Sequence, residues 1–541
     1  MKAWHWLLVG VVGWLAIAGL FWVAKTELAH FSLINEERAA SARDEDNTPL
    51  PKGHPFTRVE ANTFLDAAEH AEKIADPLQR CLAYPDPPGS HWDHATVVAY
   101  CKYRYQPTIT FEQVKQMVQS GRARELDRMF DAALRAQMTD PDARGRLDRI
   151  FINDFGEASF EIRSTLDAWK RQSPDSAFAW AASGYEYDRM AVDARGDKYI
   201  SKTPQSAIDA MDRLAQQADA DLKHALALNP KITPAYAAMV SLGGMTLGNG
   251  YALDAARRGL AQEPEDFYIY EKWMWLSQPN WGGSLAAMTA VADDAQKHAD
   301  RNPLLRMLAF DRGLYRIDRC KCAPAVALSA YEAVLDGLPG YQALADAGST
   351  AKDASDASAM TIWLSEALRF NPDLHDARLD RIYGLVEFDV FPWAIAEADT
   401  MIARSPDDEY AIKARGWAYM TENDLPQAER DFKTATELDP DDMWALSRLG
   451  GVYLQHGQQW DKAWDVASRL VEKDPGHLDG WVMRATIQAQ QPRPGLKETA
   501  DYLESHFYTD RKNLQFNAYI AHLRAVIQGK TQGTMVLESH G

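Results

Sequence analysis

"ELDPDDMWALSRLGGVYLQHG", residues 437–457, sets an Asp-Pro pair before a Trp, a Leu-Gly and a Tyr at fixed intervals. Prolines recur in similar settings: "NPD" at Pro372, "SPDD" at Pro406, "DPDD" at Pro440 and "DPG" at Pro475, spaced 34, 34 and 35 residues apart. A constant period in this range marks stacked supersecondary units, each burying its apolar face against its neighbours. Pro disfavours helix in the residue before it and suits a first helical turn. The Asp residues around it favour the positive end of the helix that follows and suit its cap. The stretch therefore predicts an inter-repeat junction followed by a first helix. It is scaffold.

The clearest unit runs from Glu409 to Asp442 and carries Gly416, Tyr419, Ala428, Phe432, Ala435 and Pro440. The next has Leu449, Gly450 and Tyr453, then Ala463 after one extra residue at its turn. Small Gly and Ala let neighbouring helices approach, and Tyr and Phe fill the gaps between them. These positions resemble the tetratricopeptide repeat, a helix-turn-helix unit of about 34 residues. The resemblance implies an all-α solenoid of helical hairpins. Weaker units lie upstream: "NPKITPAY" at Pro230, "EPEDFYIY" at Pro264, and "SPDSAFAWAASGYEYD" with Trp180, Gly184 and Tyr187 after Pro174. The last is followed by the insertion "AVDARGDKYISKTP", and loops of this length inside a repeat are often functional.

Residues 105–345 resemble a bacterial domain family of unknown function that sits beside tetratricopeptide-like repeats. "LALNP" at 226–230 and "QPNWGGSLAAM" at 278–288 carry that resemblance, and "RCLAYPDPPGSHW…YC" at 80–101 is similar to the lead-in of the same proteins. It implies architecture and a bacterial setting, with no chemistry attached.

The first residues, "MKAWHWLLVGVVGWLAIAGLFWVAKTE", hold no formal charge between Lys2 and Lys25. An apolar run of about 20 residues is long enough to cross a bilayer core. Trp4, Trp6 and Trp22 stand near its two ends, where indoles favour the interface. A cleaved signal peptide is the rival reading, but "GLFWVA" continues the apolar run beyond the small-residue site "AIA". We expect an uncleaved single-pass anchor contacting the membrane through residues 4–24. The charges flanking it favour a cytoplasmic amino terminus, hence a bacterial inner-membrane protein with a periplasmic body. Residues 35–58, charged and containing Pro49, Pro51 and Pro55, read as a tether.

The expected organisation is an anchor over 1–25, a linker over 26–60 and a helical lead-in with a Cys pair over 61–104. A helical domain with degenerate units over 105–345, repeats over 346–480, and capping helices and tail over 481–541 complete it.

The formal net charge of −19 argues against nucleic acid as a partner, since phosphate binding needs clustered Lys and Arg. Solubility is the simplest reading of the acidity, and a basic partner the sharper one. Four cysteines fall in two local pairs, Cys81 with Cys101 and Cys320 with Cys322. They suit disulfides in an oxidising compartment; buried thiols are the alternative. Two cysteines are too few for a structural zinc site unless distant residues join them.

Chemistry is otherwise sparse. Trp281-Gly282-Gly283-Ser284 reads as a turn with Ser284 capping "LAAMTAVADDAQKHA", not as a nucleophile elbow. His91, Asp93 and His94 in "SHWDH" read as a helix start, with a shared metal as the sharper alternative. No Walker loop, H-E-x-x-H or triad order is present. The expectation is no enzyme, no cofactor and no metal. In tetratricopeptide-like arrays the first helix of each unit lines the concave face. Transferred by position, that gives Tyr383, Tyr410, Lys413, Trp417, Trp444 and Ser447 as groups that hold a protein or peptide partner. Packing between repeats is the simpler reading of Trp417 and Trp444. Two other functions stand beside a scaffold: neutraliser or accessory of a secreted toxin, and a hydrolase using the Trp281–Ser284 loop.

Overall fold

The computed structural model describes residues 49–196, 200–456, 459–491, 493–507 and 514–530. Among them the regular elements are all helical. The anchor expected over 1–25 and the terminal tail from residue 531 lie outside the described residues. Among the described residues no helix is long and apolar enough to cross a membrane.

The chain divides into two compact units, residues 1–55 with 70–344 and residues 56–69 with 345–541. In the second, helices of 13 or 14 residues succeed one another from Ala357–Phe370 through His375–Glu387, Phe391–Arg404, Glu409–Glu422, Leu425–Leu438, Met443–Gln455 and Trp460–Lys473 to Leu478–Gln490. Each packs on the next, and first helices also touch one another, as His375–Glu387 does Glu409–Glu422. The helices Leu496–Phe507 and Leu514–Ile527 close the array.

The junctions explain the repeated Asp-Pro signal. Two residues after Pro406, Asp408 accepts the Ala411 N–H at 3.1 Å; two after Pro440, Asp442 accepts that of Ala445 at 2.9 Å. In the first unit Ser176 and Asp266 stand at the same offset from Pro174 and Pro264 and cap Ala179 and Ile269. A cap of this kind contributes about 1 kcal/mol. The small residues act as expected. A Cβ at Gly416 would lie 3.1 Å from Asp431 Cβ and 3.2 Å from the Phe432 ring, so a larger residue there would have to push the second helix of this hairpin back by a few tenths of an ångström.

The first unit is centred on an aromatic core. Phe130 packs against Phe151, Phe155, Trp169 and Phe178 with ring centroids 5.1–6.4 Å apart. The hairpin of Ala177–Arg195 and Gln205–Leu228 is longer than any in the repeats. Cys81 and Cys101, both fully buried, are disulfide-bonded with Cα atoms 5.8 Å apart and join the helices Pro77–Ala83 and His94–Tyr105. Cys320 and Cys322 are bonded as well.

The tether reading needs correction at its end. In the first unit the Gly53 N–H donates to Ser329 O at 2.7 Å. In the second, Phe56 meets the Trp363 ring at 5.2 Å, and Arg58 donates to Glu387 O at 2.7 Å while covering the Phe388 ring. The charged, Pro-rich composition hid these anchors because each is a single residue among polar neighbours. The helix Arg58–Glu72, through Glu69, thereby packs as part of the repeat-bearing unit.

Candidate partner-binding surface

The residues expected to hold a partner fall into three groups. Tyr410, Lys413 and Tyr383 gather around Asp442. Lys413 is 9% exposed; its Nζ pairs with Asp442 at 2.5 Å and Glu409 at 3.5 Å, and lies 4.4 Å from the Tyr410 ring centre. Burial opposes the Lys413 charge, but the bonds to Asp442 and Glu409 prevail and raise its pKa. Tyr383 is pushed up to about 12 by burial and by the charges of Asp380 and Asp442. Tyr410 is 54% exposed, a large aromatic open to solvent beside a held cation.

Trp417 and Trp444 form the second group, ring centroids 6.2 Å apart. The Arg448 guanidinium covers both, 5.2 and 5.3 Å from their centres. Both indoles are half-buried and pack on the core of the unit. They meet their neighbours and solvent at once. Ser447 stands apart from both groups: it is buried, and its hydroxyl donates to Asp479 on the next first helix at 2.6 Å.

Arg448 and the acids around Lys413 were missed by position transfer, which selects one helix face and ignores cross-repeat partners. A second ladder was missed too: Arg484 lies 4.9 Å from the Trp464 ring centre and 5.3 Å from that of Trp481, and Trp481 stacks on Tyr502 at 4.0 Å. The recurrence of Arg four residues after Trp444 and three after Trp481 was a usable signal, since those offsets share a helix face.

Elsewhere, sequence motifs resolve into structure. Ser284 Oγ accepts the Ala287 N–H at 3.0 Å and caps the helix Leu285–Gln296. Asp93 caps the helix His94–Tyr105 by accepting from Thr96 at 2.8 Å and pairs with Arg306 at 2.6 Å, while His91 turns to Asp336 at 2.7 Å. Glu409, Asp439 and Asp442 lie close enough together to share an ion, but the Lys413 ammonium already pairs with two of them.

The 34-residue hairpins, with their capped junctions and small residues at the crossings, decide the fold. The second unit is a stack of tetratricopeptide-like hairpins. A family described as a domain of unknown function, DUF4034, matches residues 110–253. Hsp70-Hsp90 organizing protein 3 of Arabidopsis thaliana is 26% identical over 149 residues, which are 27% of this chain; the match spans about a quarter of that relative, 26%. Among solved structures, a tetratricopeptide repeat protein from Parabacteroides merdae is similar over 47% of this chain and 98% of its own, at 17% identity and TM-score 0.34. Yeast Tom70 is similar over 79% of this chain and 96% of its own, at 13% identity and TM-score 0.32.

Proposed function

We propose that this protein is a membrane-anchored scaffold of the bacterial envelope whose tetratricopeptide-like array binds a protein or peptide partner. One observation carries the reading. The first helices present an exposed Tyr410 beside a held Lys413, and half-buried Trp417 and Trp444 bridged by Arg448. Aromatic and Arg side chains supply much of the binding energy at protein interfaces. Here they are already fixed by ion pairs and stacking, so little side-chain entropy is lost on binding. The relative from Arabidopsis is by its name an organiser of other proteins, in keeping with a scaffold.

Among the described residues no constellation supports a role as an enzyme, and Ser284 spends its hydroxyl on a helix cap. Neutralising a secreted toxin remains a special case of partner binding, distinguished by the identity of what is captured. The test is affinity capture by the full chain from a bacterial envelope extract. Capture of a discrete protein that Tyr410→Ala with Trp444→Ala abolishes supports the reading; equal capture by that variant sinks it. The envelope assignment is tested by protease digestion of spheroplasts with a tag after Gly541. Digestion before the inner membrane is lysed is the expected result.

A further inference from the structure

The two disulfides of the first unit are built for different purposes. Cys81–Cys101 is fully buried, joins two helices and spans a sequence separation of 20. Cys320–Cys322 spans a separation of 2, with only Lys321 inside its ring. In the chain-entropy account a disulfide stabilises in proportion to the logarithm of the loop it closes, so the second bond contributes little to the fold. Nor does it join elements that the chain leaves apart. Cys320 follows the last residue of the helix Asp311–Arg319, and Cys322 directly precedes Ala323, the cap residue of the helix Pro324–Val334.

The surroundings of this bond suit chemistry. Cys320 and Cys322 are half-buried, while Asp318, Arg319, Lys321 and Ala323 around them are exposed, so the turn lies at the surface where a thiol from outside can approach. Lys321 has a φ of 49°, a left-handed conformation that costs energy in a residue other than Gly, and opening the ring frees it from that constraint. The Cys322 N–H donates to Cys320 Sγ at 3.2 Å. A donor directed at that sulfur favours negative charge on it when the bond breaks. Lys321 adds a cation beside it in the chain, whereas Arg319 on the other side pairs with Asp318 at 3.2 Å. The chain has no free cysteine, so a thiol that attacks this bond comes from a second molecule.

We propose that Cys320–Cys322 is a redox-active disulfide, separate from the repeat surface, that exchanges with two neighbouring thiols of another molecule. One thiol of that molecule, as thiolate, attacks Cys322 Sγ and forms a mixed disulfide. The bond to Cys320 breaks, and Cys320 leaves as a thiolate already facing the Cys322 N–H, then takes up a proton. The second thiol loses its proton and attacks the sulfur of its own molecule in the mixed disulfide. Cys322 is released as a thiolate and is protonated in turn. The protein's disulfide thus gains two electrons and two protons, and the incoming dithiol becomes a disulfide. A dithiol is preferred to a monothiol because its second attack is intramolecular. A polypeptide with paired cysteines and a small dithiol both supply that chemistry.

The test equilibrates the full-length protein in glutathione buffers of graded redox ratio, traps thiols by alkylation and reads each cysteine pair by peptide mass spectrometry. Cys320–Cys322 should be half reduced at a ratio of reduced to oxidised glutathione at least about tenfold below that needed for Cys81–Cys101. The oxidised protein is then mixed with a reduced two-cysteine peptide or with dihydrolipoamide. It should oxidise at least one of them at least about tenfold faster than the variant Cys320→Ser with Cys322→Ser, and which one reacts distinguishes the sources. That variant should melt as the parent does, because the lost bond closes too short a loop to hold the fold. Resistance of Cys320–Cys322 to reduction equal to that of Cys81–Cys101, thiol oxidation no faster than by the variant, or a variant that melts well below the parent overturns the proposal.

Discussion

Tyr236 donates its hydroxyl to the carbonyl of Pro230 at 3.0 Å, and the same bond recurs at the same offset across the molecule. Trp180 Nε1 reaches Pro174 O at 2.8 Å, Arg378 Nε reaches Pro372 O at 2.7 Å, and Trp481 Nε1 reaches Pro475 O at 2.9 Å. A residue six places after the junction proline, on the first helix, thus reaches back to satisfy the proline's own carbonyl in the turn between the two helices. Three different side chains do this work, so the position is chosen for a donor and not for a residue type. Tyr236→Phe removes only the donor. It should lower unfolding free energy by about 1 kcal/mol, read by urea denaturation. An unchanged midpoint would mean that the bond is ornamental.

The ion pair of Lys413 with Asp442 separates stability from binding. Asp442 both caps the helix Met443–Gln455 and holds Lys413, so Asp442→Ala should destabilise the array by about 1–3 kcal/mol. Tyr410 is largely exposed, and Tyr410→Ala should change stability by less than about 0.5 kcal/mol while weakening partner capture. Thermal melts of both variants check the contrast. Equal losses would show Tyr410 to be structural.

A buried carboxyl cluster sets the response to pH. Gln137 Nε2 lies 2.9 Å from each of Asp148 Oδ2, Thr233 Oγ1 and Glu263 Oε2, and the Thr233 hydroxyl donates to Asp148. Burial, reinforced by Asp266, pushes Glu263 up to about 8; burial pushes Asp266 to about 6; burial with Asp266 and Glu263 raises Asp148 well above the usual range. A carboxyl whose folded-state pKa exceeds its unfolded value favours the fold most below the unfolded pKa, and that advantage is lost as pH rises through the folded pKa. Unfolding free energy should therefore fall between about pH 5 and pH 8, by up to about 1.4 kcal/mol per pH unit for each extra proton the folded state holds. Glu263→Gln should flatten that slope. Stability that rises over the same interval would contradict the cluster's protonation.

The bond between Cys81 and Cys101 closes a loop with a sequence separation of 20 and should stabilise the first unit by about 3 kcal/mol in the chain-entropy account. Melting with and without reductant measures it, with the Cys81→Ala and Cys101→Ala double variant as control. No shift on reduction would place the chain's cysteines in the thiol state.

How much was legible follows from what is local. Pro406, Pro440 and the Asp residues two places on announce capped junctions, and Gly416 announces a close crossing, because each acts within its own repeat. The Ser284 cap was legible for the same reason. Arg448 over Trp444, four residues apart on one helix, was within reach of the sequence; its contact with Trp417 was not, since that joins residues 31 apart on two hairpins. Nor was the return of Phe56 and Arg58 to Trp363 and Glu387, which only the folded chain brings together.

The most direct test of the central claim is photo-crosslinking in cells from a photoreactive residue replacing Tyr410, compared with one replacing Val326, which is equally exposed at 54%. A discrete protein adduct at position 410 that is absent at 326, and that disappears when Trp444→Ala is added, is the result expected. Adducts of the same pattern at both positions, or none at 410, would contradict a partner-binding surface on the repeats.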